Sequence, residues 1–198
     1  QTRHDLALRD LDADMEALRE QTKGLPRPCD VAAALRRPPG AAPRVIAELK
    51  KASPSKGLIR ADFRASELAA ELQAAGAAAL SVLTEPCFFQ GSAETLREAA
   101  GSISIPILRK DFIVSEVQLL EARVWGASAV LLIAAALSPW DYARLYEQAR
   151  GLGLGVLTEV HDAAELDWVL STGAHIVGVN SRDLTTFKTD LRVTARLL

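Results

Sequence analysis

Ile105-Pro106-Ile107-Leu108-Arg109-Lys110-Asp111-Phe112 is an apolar run that stops abruptly in two cations, an anion and an aromatic ring. A short, continuous apolar run of this kind predicts a strand buried on both faces, as strands of a parallel sheet are. Its ending predicts an ammonium group, that of Lys110, held at the carboxyl end of a buried strand in a partly dry pocket. Burial or a second cation there makes a lysine a usable proton donor or nucleophile. A strand end meeting solvent would produce the same letters, so the surrounding chain has to decide.

Working outward, the same unit recurs. Arg44 to Lys50, Ala78 to Glu85, Ala129 to Ala134, Gly155 to His161 and Ile176 to Arg182 read as further strands. Helices are predicted between them. Ser66 caps one through Leu68 and Leu72 to Gly76. A short one runs from Ala93 to Ala100. Ser115 caps one through Val117, Leu120 and Val124 to Gly126. Ser138-Pro139 starts a helix in the favoured cap and first-turn positions, ending near Gly151. Asp162 with Glu165 makes a capping box for a helix ending at Gly173. Six strand–helix units predict an α/β fold, either a doubly wound sheet or a TIM barrel. No Gly-x-Gly-x-x-Gly follows the first strand, which argues against a dinucleotide site. Gly151-x-Gly153-x-Gly155 precedes a strand and reads as a tight helix-to-strand connection.

Ahead of this rhythm, residues 1 to about 22 form an amphipathic helix with Leu8, Leu11, Met15 and Leu18 on one stripe. Gly24 to Pro43 is a proline-rich connector carrying a short helix at Asp30 to Arg36. The expected organisation is an N-terminal helical extension and connector over 1–43 and a (β/α) barrel or sheet over 44–198.

Composition bounds the function. The 198 residues are 49% hydrophobic and 24% charged, with a net charge of −2. That balance leaves no basic footprint for nucleic acid or an anionic membrane, so any anion site is local. No apolar run is long enough to span a bilayer; Ala127 to Leu137 is too short. Cys29 and Cys87 have neither metal nor disulfide-framework spacing and fit a reducing, cytoplasmic compartment.

The polar residues able to do chemistry gather at the carboxyl ends of the strands, where both architectures place their sites. These are Glu48 and Lys50, Glu85, Lys110, Glu159, and Asn180 with Arg182. Alternation puts Glu48 and Lys50 on one face, Asn180 and Arg182 on another, and Lys110 beside Leu108 and Phe112. The fourth strand supplies only Leu131 and Ile133. A charged pocket with one apolar wall is the result, suited to a ligand with an aromatic or aliphatic part. Each residue alone has a structural explanation, since ion pairs also gather at strand ends. Their joint occurrence is harder to dismiss. His161 reads as a helix-cap neighbour.

At these residues the chain resembles the indole-3-glycerol phosphate synthase family of tryptophan biosynthesis. The resemblance rests on Ile46-Ala-Glu-Leu-Lys-Lys-Ala-Ser-Pro-Ser-Lys-Gly57, Leu80-Ser-Val-Leu-Thr-Glu85 followed by Phe88-Phe89-Gln90-Gly91-Ser92, Leu108-Arg-Lys-Asp-Phe112, Leu157-Thr-Glu-Val-His161 and Gly178-Val-Asn-Ser-Arg-Asp-Leu184. It implies a TIM (β/α)8 barrel acting as a carbon–carbon lyase without metal or organic cofactor. The implied reaction converts 1-(2-carboxyphenylamino)-1-deoxyribulose 5-phosphate to indole-3-glycerol phosphate, releasing carbon dioxide and water. By the same resemblance Lys110 is the general acid of ring closure, Glu159 the acid/base of dehydration, and Lys50 a second acid and anion-binding group. Glu48 orients the lysines and Asn180 holds hydroxyls or developing charge. Arg182 faces the anthranilate carboxylate with Ser53 nearby. Phe89, Phe112, Leu131, Ile133, Leu184 and Phe187 surround the ring. The N-terminal helix lies over the barrel mouth, as the family's extra helix does. The sequence leaves the oligomeric state open, with a monomer favoured, and no nucleic-acid or membrane partner is expected. Ser181 stands where the family often repeats Asn, and the position is expected to be tolerant.

The resemblance also implies two more strand–helix units beyond Leu198, with a Glu-Ser-Gly-type strand end and phosphate-binding turns. The start at Gln1 rather than Met suggests a trimmed or partly represented N-terminus. On that expectation the 198-residue chain alone binds phosphate weakly and turns over little. The alternatives are an inactive barrel fragment and another phosphosugar TIM-barrel lyase or aldolase with Lys110 as a Schiff-base nucleophile.

Overall fold

The computed structural model describes residues 14–182, 189–190 and 192–197. Leu184 and Phe187, and the Leu8 and Leu11 positions of the first helix, lie outside the described residues. Six parallel strands form one sheet in the order β1 (Ile46–Leu49), β4 (Ala79–Leu83), β5 (Ile107–Lys110), β6 (Ala129–Ile133), β7 (Gly155–Val160) and β8 (Ile176–Val179). Each strand lies beside the one that precedes it in this series, with no reversal of order. A doubly wound sheet reverses at a switch point, so this is barrel winding. The strands form a partial TIM barrel with helices alternating along it. β2 (Ala52–Ser53) and β3 (Gly57–Leu58) form a small antiparallel hairpin after β1.

The helices are α1 (Met15–Thr22), α2 (Val31–Leu35), α3 (Ala65–Ala74), α4 (Pro86–Phe89), α5 (Ala93–Ser102), α6 (Glu116–Val124), α7 (Pro139–Gly151), α8 (Ala163–Ser171) and α9 (Arg192–Leu197). A single 3-10 turn follows β6 at Ala134–Ala136. Alternation along the strands divides the apolar residues into two cores. Leu80, Val82, Ile107, Val130, Leu132, Val156 and Val160 face outward onto Leu96, Leu119, Leu145 and Val169 of the helices. Leu108, Leu131 and Ile133 face inward, with Phe112 and Leu157 packed against them. Each fully buried Leu, Ile or Val contributes about 1.5–3 kcal/mol, so both cores hold the sheet.

The connector is built as the sequence predicts. Asp30 caps α2 by accepting the Ala33 N–H at 3.0 Å, and Val31 inserts into the inner core from the amino ends of the strands. A Cβ on Gly155 would lie 2.3 Å from Val31 Cγ1. The absent side chain at β7's first residue is what lets this plug seat. α1 packs against α6, with Arg19 donating to Glu116 Oε1 at 2.8 Å.

Two expectations are corrected. The α3 cap is Arg64, not Ser66, and it makes no side-chain cap bond; Arg64 instead pairs with Asp62 and Glu67. The strands are also shorter than predicted at their carboxyl ends. Lys50, Glu85, Asp111, His161 and Asn180 have left the ladder and are committed to loops and caps.

Candidate active site at the carboxyl ends of the strands

Two polar clusters stand at the carboxyl end of the sheet. In the first, Glu48 on β1 accepts from two lysines. Lys110 Nζ, at the end of β5, donates to Oε2 at 2.7 Å, and Lys50 Nζ donates to Oε1. All three side chains are part-buried, with about a third or less of their area exposed: 26% for Glu48, 32% for Lys50 and 36% for Lys110. Burial pushes the Glu48 carboxyl up, but Lys110 and Lys50 together outweigh it and hold the group below the usual carboxylate range. The site therefore keeps a fixed anion between two ammonium groups, one of which points from the strand named at the outset.

The second cluster spans β7 and the residue after β8. Asn180 Nδ2 donates to Glu159 Oε1 at 2.9 Å, and Asn180 Oδ1 accepts the Arg182 N–H at 3.0 Å. Arg182 is exposed and bridges to Thr189. His161 Nε2 lies 3.6 Å from the same Glu159 oxygen. Between the clusters run Leu131 and Ile133 of β6, both buried, with Leu108, Phe112 and Leu157. The arrangement is one cationic wall, one carboxylate–amide wall and an apolar floor between them. Ser53 sits on β2, whose hairpin packs beside α4, and α4 ends in the half-buried Phe89. The structure thus gathers the predicted residues into two groups on one rim. Leu184 and Phe187 lie outside the described residues.

Glu85 is not free for chemistry. Its carboxylate accepts the N–H groups of Cys87, Phe88 and Phe89 at 3.0, 2.6 and 3.2 Å, with Pro86 in the first turn. The carboxylate is the cap of α4. The loop then closes on β4. A Cβ on Gly91 would meet the Leu83 carbonyl oxygen at 2.3 Å, so only glycine permits that approach.

The residues flanking Lys110 point the other way and were missed. Arg109 is fully buried on the helix side of β5. It donates to Thr84 Oγ1 at 3.1 Å, the Gln118 carbonyl at 2.7 Å, Glu121 Oε2 at 3.1 Å and Asp111 Oδ2 at 3.0 Å. Its guanidinium stacks 4.2 Å from the Trp125 ring centroid. Thr84 Oγ1 donates to Asp111 Oδ2 at 2.7 Å, and Asp111 Oδ1 accepts the Phe112 N–H at 2.9 Å. The network ties the ends of β4 and β5 to α6 and so sets the backbone from which Lys110 and Phe112 project. The signal was available: a cation and an anion two apart on a buried strand need partners.

A cavity of about 710 Å³ lies elsewhere. It opens at the amino ends of the strands between α2 and α7, near Arg27, Arg36, Arg150 and His175. Nothing from either polar cluster lines it, and convergent polar groups outweigh volume in locating chemistry. Among the described residues, no group of three or more His, Cys, Asp and Glu could hold a metal ion. No described helix is long and apolar enough to cross a membrane.

Comparison with known proteins bears on this rim. Among solved structures, a mandelate oxidase crystallised with 3,3-difluoro-2-hydroxy-3-phenylpropionic acid superposes with a TM-score of 0.53 at 15% identity. The match covers 69% of this chain and 49% of that one, a likeness of fold alone. Sequence relatives are much nearer. The indole-3-glycerol phosphate synthase of Chloroherpeton thalassium is 49% identical over 178 residues, 89% of this chain and 68% of its own length. That of Azoarcus sp. is 53% identical over 156 residues, covering 79% and 59%. That of Koribacter versatilis is 55% identical over 152 residues, covering 77% and 58%. The chain thus spans between 58% and 68% of the length of these relatives. The family profile described as indole-3-glycerol phosphate synthase matches residues 1–198, a range that includes Glu48, Lys110, Glu159 and Asn180. This chain belongs to the indole-3-glycerol phosphate synthase family.

Proposed function

We propose that the protein performs this family's reaction, converting 1-(2-carboxyphenylamino)-1-deoxyribulose 5-phosphate to indole-3-glycerol phosphate, carbon dioxide and water. The observation that carries the reading is the Glu48 carboxylate held between Lys50 and Lys110, across an apolar floor from Glu159 and Asn180. Lys110 donates a proton to the substrate's carbonyl oxygen as the ring carbon bearing the carboxylate attacks the carbonyl carbon. Loss of carbon dioxide restores the aromatic ring. Glu159 then takes the proton released as the double bond forms, and the hydroxyl leaves as water. Acid–base assistance of this kind is worth about 10²–10⁴-fold in rate.

The remaining residues position the substrate. Lys50 attracts its anionic groups and serves as a second acid. Glu48 fixes both ammonium groups. Arg182 faces the anthranilate carboxylate with Ser53, and Phe89, Phe112, Leu131 and Ile133 enclose the aromatic ring. Asn180 holds a hydroxyl while anchoring Glu159. The free, exposed Cys29 and Cys87 suit a reducing cytoplasm, and we take the working unit to be a monomer.

The test is Lys110→Ala, assayed for indole-3-glycerol phosphate formation beside equilibrium binding of a non-reacting substrate analogue. Turnover should fall by about 10²-fold or more while analogue affinity changes little. Unchanged turnover per bound substrate would refute the role of Lys110. Borohydride should trap no substrate on Lys110; a trapped adduct would replace general-acid with Schiff-base chemistry.

A further inference from the structure

His161 is used by none of the steps above, yet its ring is built into the second cluster. It follows β7 and precedes the cap of α8. Asp162 Oδ1 accepts the Glu165 N–H at 2.8 Å, the forward half of the predicted capping box. The return half is displaced. Glu165 Oε2 accepts not the Asp162 N–H but the His161 N–H at 2.7 Å, and it also lies 3.3 Å from His161 Nδ1. An ionised carboxylate only accepts, so Nδ1 carries a hydrogen.

That leaves Nε2. It is shut off from solvent and has no hydrogen-bond partner. It faces Glu159 Oε1 at 3.6 Å, the same oxygen that Asn180 holds. The charged groups facing the ring among the described residues are Glu159 from β7 and Glu165 from α8. The 3-10 turn after β6, which packs against α8, contributes only alanines. A ring lone pair and a carboxylate oxygen confronting each other without water repel unless a proton lies between them. The separation is slightly long for a hydrogen bond, as such contacts often are before substrate tightens them.

We propose that His161 is a positioning residue that shares one proton with Glu159. The two forms are a neutral ring facing protonated Glu159 and an imidazolium facing ionised Glu159. Resting on the reading of Glu159 as the acid/base, the pair works as follows. Glu159 takes a proton from substrate carbon. Its new O–H bond breaks as an N–H bond forms on Nε2, the carboxylate is restored, and the imidazolium is balanced by Glu165. The reverse transfer returns the proton to Glu159 for the hydroxyl that leaves as water. The pair's total charge is unchanged by the internal transfer, and no further reactant is needed.

The first test uses the full chain with its natural histidine. The ¹⁵N shifts of the His161 ring should show hydrogen on Nδ1 and a bare or shared Nε2. Glu159→Gln should displace the ring's pH titration. A neutral ring with its hydrogen on Nε2, or a titration unmoved by Glu159→Gln, would overturn the proposal. The second test uses turnover. His161→Asn keeps a polar group near the Nδ1 position, and His161→Gln puts an amide that does not titrate near Nε2. Both should lower kcat about tenfold or more, leave KM unchanged and displace one limb of the kcat–pH profile. A profile identical to wild type would overturn the proposal. Should the protein form no indole-3-glycerol phosphate, the proposed reaction fails while the ring measurement still decides whether His161 and Glu159 share a proton.

Discussion

Replacing Arg109 by methionine is expected to cost about 3–5 kcal/mol of folding stability. The side chain is 1% exposed and its partner Asp111 is 4% exposed, so neither charge can turn to water. Methionine would keep the packing on Trp125 but strip four hydrogen bonds, those to Thr84, Gln118, Glu121 and Asp111. Asp111 would keep the Thr84 hydroxyl and the Phe112 N–H, which pulls the cost toward the lower figure. The Gln118 carbonyl would lose a charged donor, worth about 1.5–3 kcal/mol where such a bond is made, which pulls it back up. Urea unfolding at neutral pH, with equal m-values confirming two-state behaviour, reads the difference. Adding Asp111→Asn to the methionine variant should recover about 1 kcal/mol or more, because the stranded charge is then gone. A loss below about 1 kcal/mol for the single variant would refute the reasoning. So would a double variant no better than the single one. Arg64→Met, which removes an exposed arginine paired with Asp62 and Glu67, is the contrast and should change stability little.

Glu48 predicts a pH dependence. Its carboxyl is depressed in the folded state, so its contribution is fully present above the unfolded value of about 4.3 and is lost as pH falls through the folded value below it. Between pH 5 and pH 3, wild type should therefore lose more stability in urea unfolding than Glu48→Gln; parallel curves would refute the assignment. Gly155→Ala should destabilise by about 1–3 kcal/mol, since its Cβ would sit 2.3 Å from Val31 Cγ1. Val31→Ala in the same chain should relieve part of that clash, and strictly additive losses would show that the contact is not the cause. Glu85→Ala should cost about 2 kcal/mol by uncapping α4, as a drop in melting temperature, and no change there would refute the capping role.

How far the sequence could be read follows from geometry. Glu48 and Lys110 were legible because an apolar strand has one register that buries it, and its polar end must then project at the rim. Asn180 and Glu159 followed from the same alternation. What alternation cannot supply is the partner. Arg109 and Asp111 face helices, and nothing local names Gln118, Glu121 or Trp125 as the groups they meet. Glu85 was misread although Pro86 follows it, a first-turn proline that marks the preceding residue as a cap. Ser66 failed for the opposite reason: a good capping residue fell one place inside a helix whose start is fixed by Arg64 and its carboxylate neighbours. The β2–β3 hairpin has strands of two residues, too short to show any period.

The alternating charges on β5 carry a consequence for the order of events in the site. Arg109 and Asp111 are locked on the outward face, while Lys110 between them is held inward by Glu48. Glu48 also holds Lys50, so the two lysines share one carboxylate. Removing either lysine leaves Glu48 with the other, and the loss is partly absorbed. Removing Glu48 leaves two ammonium groups at one rim with no anion between them. The two lysine substitutions together should therefore cost more stability than the sum of the single ones, whereas Glu48→Gln should loosen both side chains at once. An anionic substrate entering this rim would meet cations already placed by a common partner, on a strand whose backbone the outward network keeps still. Preorganisation of that kind requires both faces of β5, which is why a stretch of four polar and aromatic residues serves the core and the chemistry together.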